Sequence, residues 1–360
     1  MADMTAQDAK RFDANVLRAF TTECLTACAL PARDAAQVAG MMIDADLAGA
    51  DAHGIFRLPQ YVRRLNAGGV NPTPSIDVRK TAAATAIVDG DNGMGHLVMH
   101  RAVETAIELA GEAGVGWVGV RRSNHAGPAS LYATMPMERG MIGIYSAVAS
   151  ANHMAIWGGS EPLLGTNPLA IGIPAGEFAP VVLDIATTMV SYGTIKSYAL
   201  NGLELPKGWL IERTTGQPLT DPKRSSAGLL VPIGGYKGSG LALVLGILAG
   251  VLNGAAFGRD VIDFNADSSS ETNTGHFILA IDVKRFQPLA AFQGELDRQL
   301  ASLQASQTMP GFETIRLPGA ERLRRVAERS RNGVPISAGL ETALDKLAVD
   351  LNLGALSGRT

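Results

Sequence analysis

Apolar residues recur at helical spacing through the first seventy positions. Phe12, Val16, Ala19 and Phe20 share one face, and Ala35 to Leu47 forms a second such run. Pro31 stands between them, where a helix cannot continue. Beyond the turn-rich stretch Gly68 to Pro74 the texture changes. Ala86-Ile87-Val88, Val115 to Val120 and Met141 to Val148 are short apolar blocks that predict strands, and Val98 to Glu112 is patterned as a helix between two of them. From Gln287 onward helical patterning returns with many charges, and this tail is expected to pack against the N-terminal helices. The chain therefore reads as mixed α/β (α+β). Residues 1–75 and 287–360 are patterned as helical, and residues 76–286 as mixed α and β. Two further segments carry expectations. Gly240 to Leu252 (GLALVLGILAGVL) is apolar but shorter than the ~20 residues of a membrane span, which predicts a buried helix. Asn265 to Asn273 (NADSSSETN) is polar throughout and predicts a mobile surface loop.

Composition narrows the class. With 46% hydrophobic and 18% charged residues the 360-residue chain is that of a globular enzyme, long enough for two domains. A formal net charge of −3 leaves no basic field for nucleic acid or an anionic membrane. The first residues, MADMTAQDAKRF, lack the apolar core of a leader peptide. Cys24 and Cys28 have no second ligand pair nearby, so packing in a reducing cytoplasm is expected and a metal is not.

Several motifs bear on chemistry. Gly114-Val-Gly116-Trp-Val-Gly119 has GxGxxG spacing, but a helix precedes it and a strand follows, the reverse of what a phosphate loop needs. Gly234-Gly235-Tyr236-Lys237-Gly238-Ser239-Gly240 opens a helix. It suits either an anion, through free N–H groups and the Lys237 charge, or a tight packing turn. His96 and His100 share a helical face without a third ligand. His53 and Arg57 are four apart, a spacing that on a helix puts their Cβ atoms about 5–6 Å from each other. A guanidinium that grips a carboxylate beside an imidazole that protonates the adjacent carbonyl oxygen suits a 2-oxo acid. A surface His near a surface Arg is the alternative. His125, in Ser123-Asn124-His125-Ala126-Gly127, falls at a strand end, where sites gather in α/β folds and where a structural histidine also occurs. No GxSxG elbow points to a hydrolase.

Taken in order, DAHGIFRLPQYV from Asp51, RRSNHAG from Arg121, LLGTNPLAIGIPA from Leu163, LDIATTMVSYGTI from Leu183, LPKGW from Leu205, GQPLTDP from Gly216, PIGGYKGSGLAL from Pro232, NTGHFILAID from Asn273 and RLPGAER from Arg316 resemble one family. It is the malate/L-lactate dehydrogenase family of the non-Rossmann type, whose relatives include sulfolactate, ureidoglycolate and diketogulonate oxidoreductases and piperideine-2-carboxylate reductase. The resemblance covers nearly the whole chain. It implies a helical domain built from both termini, 1–75 with 287–360, on a non-Rossmann mixed-sheet cofactor domain, 76–286, in a homodimeric oxidoreductase that moves hydride between NAD or NADP and a small 2-oxo or 2-hydroxy acid. It implies His53 as first choice for the proton donor, His125 as second, Arg57 as carboxylate clamp and Thr166 as a substrate contact. Cofactor contacts fall at His125, Ala126, Gly127, Pro128 and Ala129; at Ser150; at Asp184, Ile185 and Ala186; at Tyr192 and Gly193; at Tyr236 and Lys237; and along Leu317, Pro318, Gly319, Ala320, Glu321, Arg322 and Leu323. Arg121 or Arg122 is a candidate for a 2′-phosphate. Cyclic-imine reductases of this family pair the catalytic His with a preceding Ser and a distant Asp. Here those positions hold Ala52 and Thr194, which favours 2-oxo acids over imines. A non-catalytic binding protein on the same fold is the reading from another class.

Overall fold

The computed structural model describes residues 9–200 and 202–359. The first eight residues, on which the expectation about a leader rests, lie outside this range. A short strand, β1 (Lys10–Phe12), leads into α1 (Ala14–Ala27), capped where the Asp13 carboxylate accepts the Asn15 N–H at 2.7 Å. Pro31 occupies the N-cap of α2 (Ala32–Leu47), and α3 (Leu58–Asn66) completes the N-terminal set. Leu17, Phe20, Cys24, Met42, Ile43 and Leu58 are fully buried, the helical periodicity turned into a core face.

The middle of the chain builds one sheet. β2 (Asp77–Ala82) and β3 (Thr85–Asp89) are followed by α4 (Gly95–Ala113), β4 (Val115–Ser123), α5 (Ser130–Thr134), β5 (Met141–Ala147), β6 (Leu169–Ile173) and β7 (Val181–Ile185). Then come α6 (Tyr192–Leu200), a small pair of strands, β8 (Leu210–Glu212) and β9 (Gly228–Leu230), and the apolar helix α7 (Tyr236–Ala249). β10 (Thr274–Asp282) inserts between β4 and β5, giving the order β2-β3-β4-β10-β5-β6-β7. Only the pair β3/β4, joined through α4, is parallel; the other neighbours are antiparallel. The end of β4, the end of β5 and the start of β10 therefore meet at one edge, with Ser123 opposite Thr274 and Ala147 opposite His276.

The GxGxxG glycines lie in β4 and serve packing. A Cβ at Gly116 would come within 2.2 Å of the Ala106 carbonyl oxygen in α4, and one at Gly119 within 2.0 Å of Asn253 Oδ1. The chain runs on from them as strand to Ser123, not into a helix N-terminus.

The tail divides. α8 (Leu289–Gln304) sits by the turn before β7, where Asp297 accepts the backbone N–H groups of Gly176, Glu177 and Phe178. α9 (Ala320–Asn332), β11 (Val334–Ile336) and α10 (Ala338–Asp350) go instead to the N-terminal helices, with β11 antiparallel to β1 and Leu344, Leu347 and Ala348 in the α1–α3 core.

α7 corrects one expectation. With the turn that follows, Tyr236–Asn253 is long and apolar enough to cross a membrane by length and composition, and it is not fully buried. Leu245 and Ala249 pack against β5 and β10 and Ala242 against Met154 and Leu164, but Val244, Ile247, Val251 and Leu252 are exposed. A helix apolar on every side gives no polar stripe from which to read its outer face.

Candidate active site

The segment carrying His53 and Arg57 is not one helix. It is two 3-10 turns, Asp51–His53 and Ile55–Arg57, parted by Gly54 at φ −88°, ψ −140°. The cause is Asp46, fully buried in α2, whose carboxylate accepts the Ile55 N–H at 2.8 Å. A Cβ on Gly54 would sit 1.9 Å from Asp46 Oδ1, so the break needs glycine. Asp51, two positions before His53, accepts from both Nη atoms of Arg329 from α9.

Both side chains nevertheless reach one cavity of about 230 Å³ at the sheet edge. Its walls bring together His53, Arg57, His125, Ala126, Gly127, Pro128, Ala129, Ser150, Thr166, Asp184, Ala186, Tyr192 and Gly193. Ile185 is absent because alternate residues of β7 point to opposite faces. The Pro318 carbonyl accepts the Val182 N–H at 3.2 Å, so the 317–323 turn lies against β7, and Arg322 acts electrostatically on Asp184. Tyr236 and Lys237 are exposed outside the cavity at the start of α7, which has no side-chain cap and follows two left-handed glycines. Arg121 and Arg122 stand away from the cavity, paired with Asp89 and with Asp89 and Asp91 respectively.

The cavity floor is an aromatic stack. His53 lies on His125 with centroids 5.4 Å apart and planes 8° apart, and His125 lies on Phe264 at 5.0 Å and 11°. Tyr61, one turn along α3 from Arg57, places its hydroxyl 2.6 Å from His125 Nδ1. His53 Nδ1 is buried with no partner. Arg57 donates through Nε to the Ala52 carbonyl at 2.8 Å and through Nη1 to Gln60 Oε1 at 3.1 Å. Among the described residues no carboxylate pairs with it, although it is buried.

Burial holds His53 down at about 3, with Arg57 and then His96 adding to the effect. Burial likewise puts His125 well below its usual range, followed by Arg57 and the neighbouring histidines. His96 and His153 are pushed to about 4 and His276 to about 3, in each case chiefly by burial. Five of six histidines are thus neutral in the fold but protonate near pH 6.5 once unfolded. The unfolded chain then binds more protons below that pH, so stability rises as pH climbs from about 4 to 6.5 and levels off above it. Asp46 and Asp184, raised by burial, act in the opposite sense. Each histidine contributes up to about 1.4 kcal/mol per pH unit. Thermal melts should therefore show Tm falling between pH 7 and pH 5, and a flat Tm across that range would contradict these burials.

Phe264, Asn265, His153 and His276 also line the cavity, and sequence patterning did not single them out as site residues. Phe264 immediately precedes, and Asn265 opens, the segment expected to be a mobile surface loop. It is instead pinned. Buried Arg64 donates to the carbonyls of Asp267 and Ser270, and Gln60 donates to that of Phe264 at 2.8 Å. Polar composition does not distinguish a solvated loop from one whose polar groups are satisfied internally.

Residues 12–345 match the family model for malate/L-lactate dehydrogenase. The malate dehydrogenase of Pyrococcus abyssi is 36% identical over 345 residues, covering 94% of each chain. The NAD(+)-dependent ureidoglycolate dehydrogenase of Escherichia coli K12 is 31% identical, over 84% of this chain and 85% of its own. The solved structure of malate dehydrogenase from Pyrococcus horikoshii superposes with a TM-score of 0.89 at 32% identity, covering 98% of both chains. Fold and site thus define a dehydrogenase without a Rossmann phosphate loop. The chain belongs to the malate/L-lactate dehydrogenase family, and its cofactor is a nicotinamide dinucleotide.

Proposed function

We propose that a small 2-oxo or 2-hydroxy acid and a nicotinamide ring meet in this cavity, with Arg57 holding the acid's carboxylate and His125 moving the proton. One observation carries this reading. A buried guanidinium with no counter-ion among the described residues shares a cavity with two stacked, neutral imidazoles. The cavity is smaller than the roughly 300–1,000 Å³ typical of ligand sites, which suits the reacting ends alone. The rest of the dinucleotide would follow 126–129, Ser150, Asp184 and Ala186. It would reach the buried, unpartnered Arg322 Nε and the uncapped start of α7 with Lys237. When bound, the nicotinamide supplies or accepts the hydride.

The chain's residues do the rest. Anchored at Nε and Nη1, Arg57 keeps Nη2 for a substrate carboxylate. That carboxylate offsets the second cause of the histidines' lowered proton affinity, so substrate binding raises it. In the imidazolium, His125 donates through Nδ1 to Tyr61 Oη and through Nε2 to the substrate oxygen. Sequence reasoning ranks His53 ahead of His125. We exchange them because only His125 has a partner that sets its ring, while His53 stacks beside it. Thr194 Oγ1 bonds Ser191 Oγ at 3.0 Å and carries no charge, so the imine-reductase relay has no counterpart.

This reading keeps the division into 1–75 with 287–360 and 76–286, with α8 lying on the sheet side. It also takes the exposed face of α7 as the contact of a homodimer in the cytoplasm. Fluorescence titration with NADH and NADPH, followed by addition of 2-oxo acids or piperideine-2-carboxylate, tests the proposal. Cofactor binding with faster oxidation on a 2-oxo acid supports it. Binding without turnover on any acid favours a non-catalytic protein, and turnover on the imine alone favours the reductase.

A further inference from the structure

Arg57 is not the only cation by the cavity that lacks a carboxylate. Lys196, on α6, donates from Nζ to Asn265 Oδ1 at 2.8 Å and lies 5.5 Å over the Tyr192 ring, and both of those residues line the cavity. A row of two neutral amides joins the cations. Arg57 Nη1 donates to Gln60 Oε1 at 3.1 Å, and Gln60 Nε2 reaches the same Asn265 Oδ1 at 3.5 Å. No ion pair with a carboxylate is formed by either cation among the described residues. The nearest candidate, Asp263, turns its Oδ1 to the backbone N–H and side-chain amide of Asn265.

Two cations held apart by amides and left without counter-ions repel each other. Burial and then Arg57 lower the proton affinity of Lys196, with Asp263 only partly opposing them. Such an arrangement is relieved by a ligand carrying two negative groups at separate ends. A monoanion on Arg57 would leave Lys196 uncompensated.

We propose that Lys196 is a specificity-determining residue that reads a second anionic group, so that the enzyme prefers dianionic 2-oxo acids, a dicarboxylate or a sulfo-carboxylate, over monoanionic ones. The proposal rests on the function proposed above, with Arg57 holding the first carboxylate. Asn265 accepts from the ammonium, and the Tyr192 ring faces it at 5.5 Å.

The test compares wild type, Lys196→Gln and Lys196→Arg on oxaloacetate, sulfopyruvate and pyruvate. A second readout is calorimetric titration of the NADH-loaded protein with tartronate and with glycolate, which are already reduced and cannot turn over. Lys196→Gln should lower kcat/KM for the two dianions by about tenfold to a hundredfold, chiefly through KM, as expected for one lost charge-assisted contact. It should weaken tartronate to match, and leave pyruvate and glycolate within about threefold. Lys196→Arg should keep most of the preference. Equal losses on dianions and monoanions would overturn the proposal in favour of a purely structural lysine. Unchanged dianion kinetics and tartronate affinity would overturn it as well. Failure of the underlying reading looks different, because wild type would then turn over no 2-oxo acid and bind neither tartronate nor glycolate.

Discussion

His125→Ala lowers kcat for 2-oxo acid reduction by about a hundredfold or more, while NADH or NADPH affinity stays within a few-fold of wild type. The ring is held by Phe264 and His53 on its faces, by the Tyr61 hydroxyl 2.6 Å from Nδ1, and by the Gly127 N–H 3.4 Å from the same nitrogen. Removing it takes away the group that meets charge developing on the substrate oxygen, and it leaves the distant ends of the cofactor site untouched. Tyr61→Phe removes only the orienting contact, so a smaller loss is expected, about tenfold. The pH profile separates the two histidines. Reduction needs a protonated imidazole, so kcat falls at alkaline pH through the proton affinity of His125 in the substrate complex. That affinity lies above the free enzyme's because a carboxylate now faces Arg57. His53→Ala should keep this alkaline limb and His125→Ala should lose it. The opposite pattern would restore His53 as the donor.

Arg57→Lys raises KM for every 2-oxo acid by about tenfold to a hundredfold and leaves cofactor binding nearly unchanged, from a loss of about 1.5–3 kcal/mol for a charge-assisted hydrogen bond. The guanidinium makes two anchoring bonds and still has N–H groups to spare. An ammonium is a point donor and cannot reach the Ala52 carbonyl, Gln60 and a substrate at fixed angles together. The lysine variant would also hold its charge differently against the histidines, so kcat is expected to move less than KM. Measured KM values equal to wild type on pyruvate and oxaloacetate would exclude Arg57 as the clamp.

Much of this arrangement is legible in the sequence wherever local pattern decides it. The apolar periods of α1 and α2, the strand blocks of β4 and β5, and the misplaced GxGxxG all follow from spacing and order. His53, Arg57 and His125 carry chemistry that their neighbours in the chain already suggest. What the sequence hides is set by contacts far along the chain. The Gly54 break depends on Asp46 beneath it, the Phe264 stack depends on a loop held by Arg64, and Lys196 gains meaning only through Asn265. α7 is misread for a different reason. A helix without a polar side cannot show which face stays open.

The most direct test follows the hydride itself. NADH or NADPH carrying deuterium at the transferred position is incubated with the enzyme and oxaloacetate, and the product is read by mass spectrometry and NMR. The cavity described here predicts deuterium at C2 of the hydroxy acid, transfer at least about a hundredfold slower with His125→Ala, and weakened saturation with Arg57→Lys. Full transfer in both variants, or no transfer to any 2-oxo acid by wild type, would contradict it.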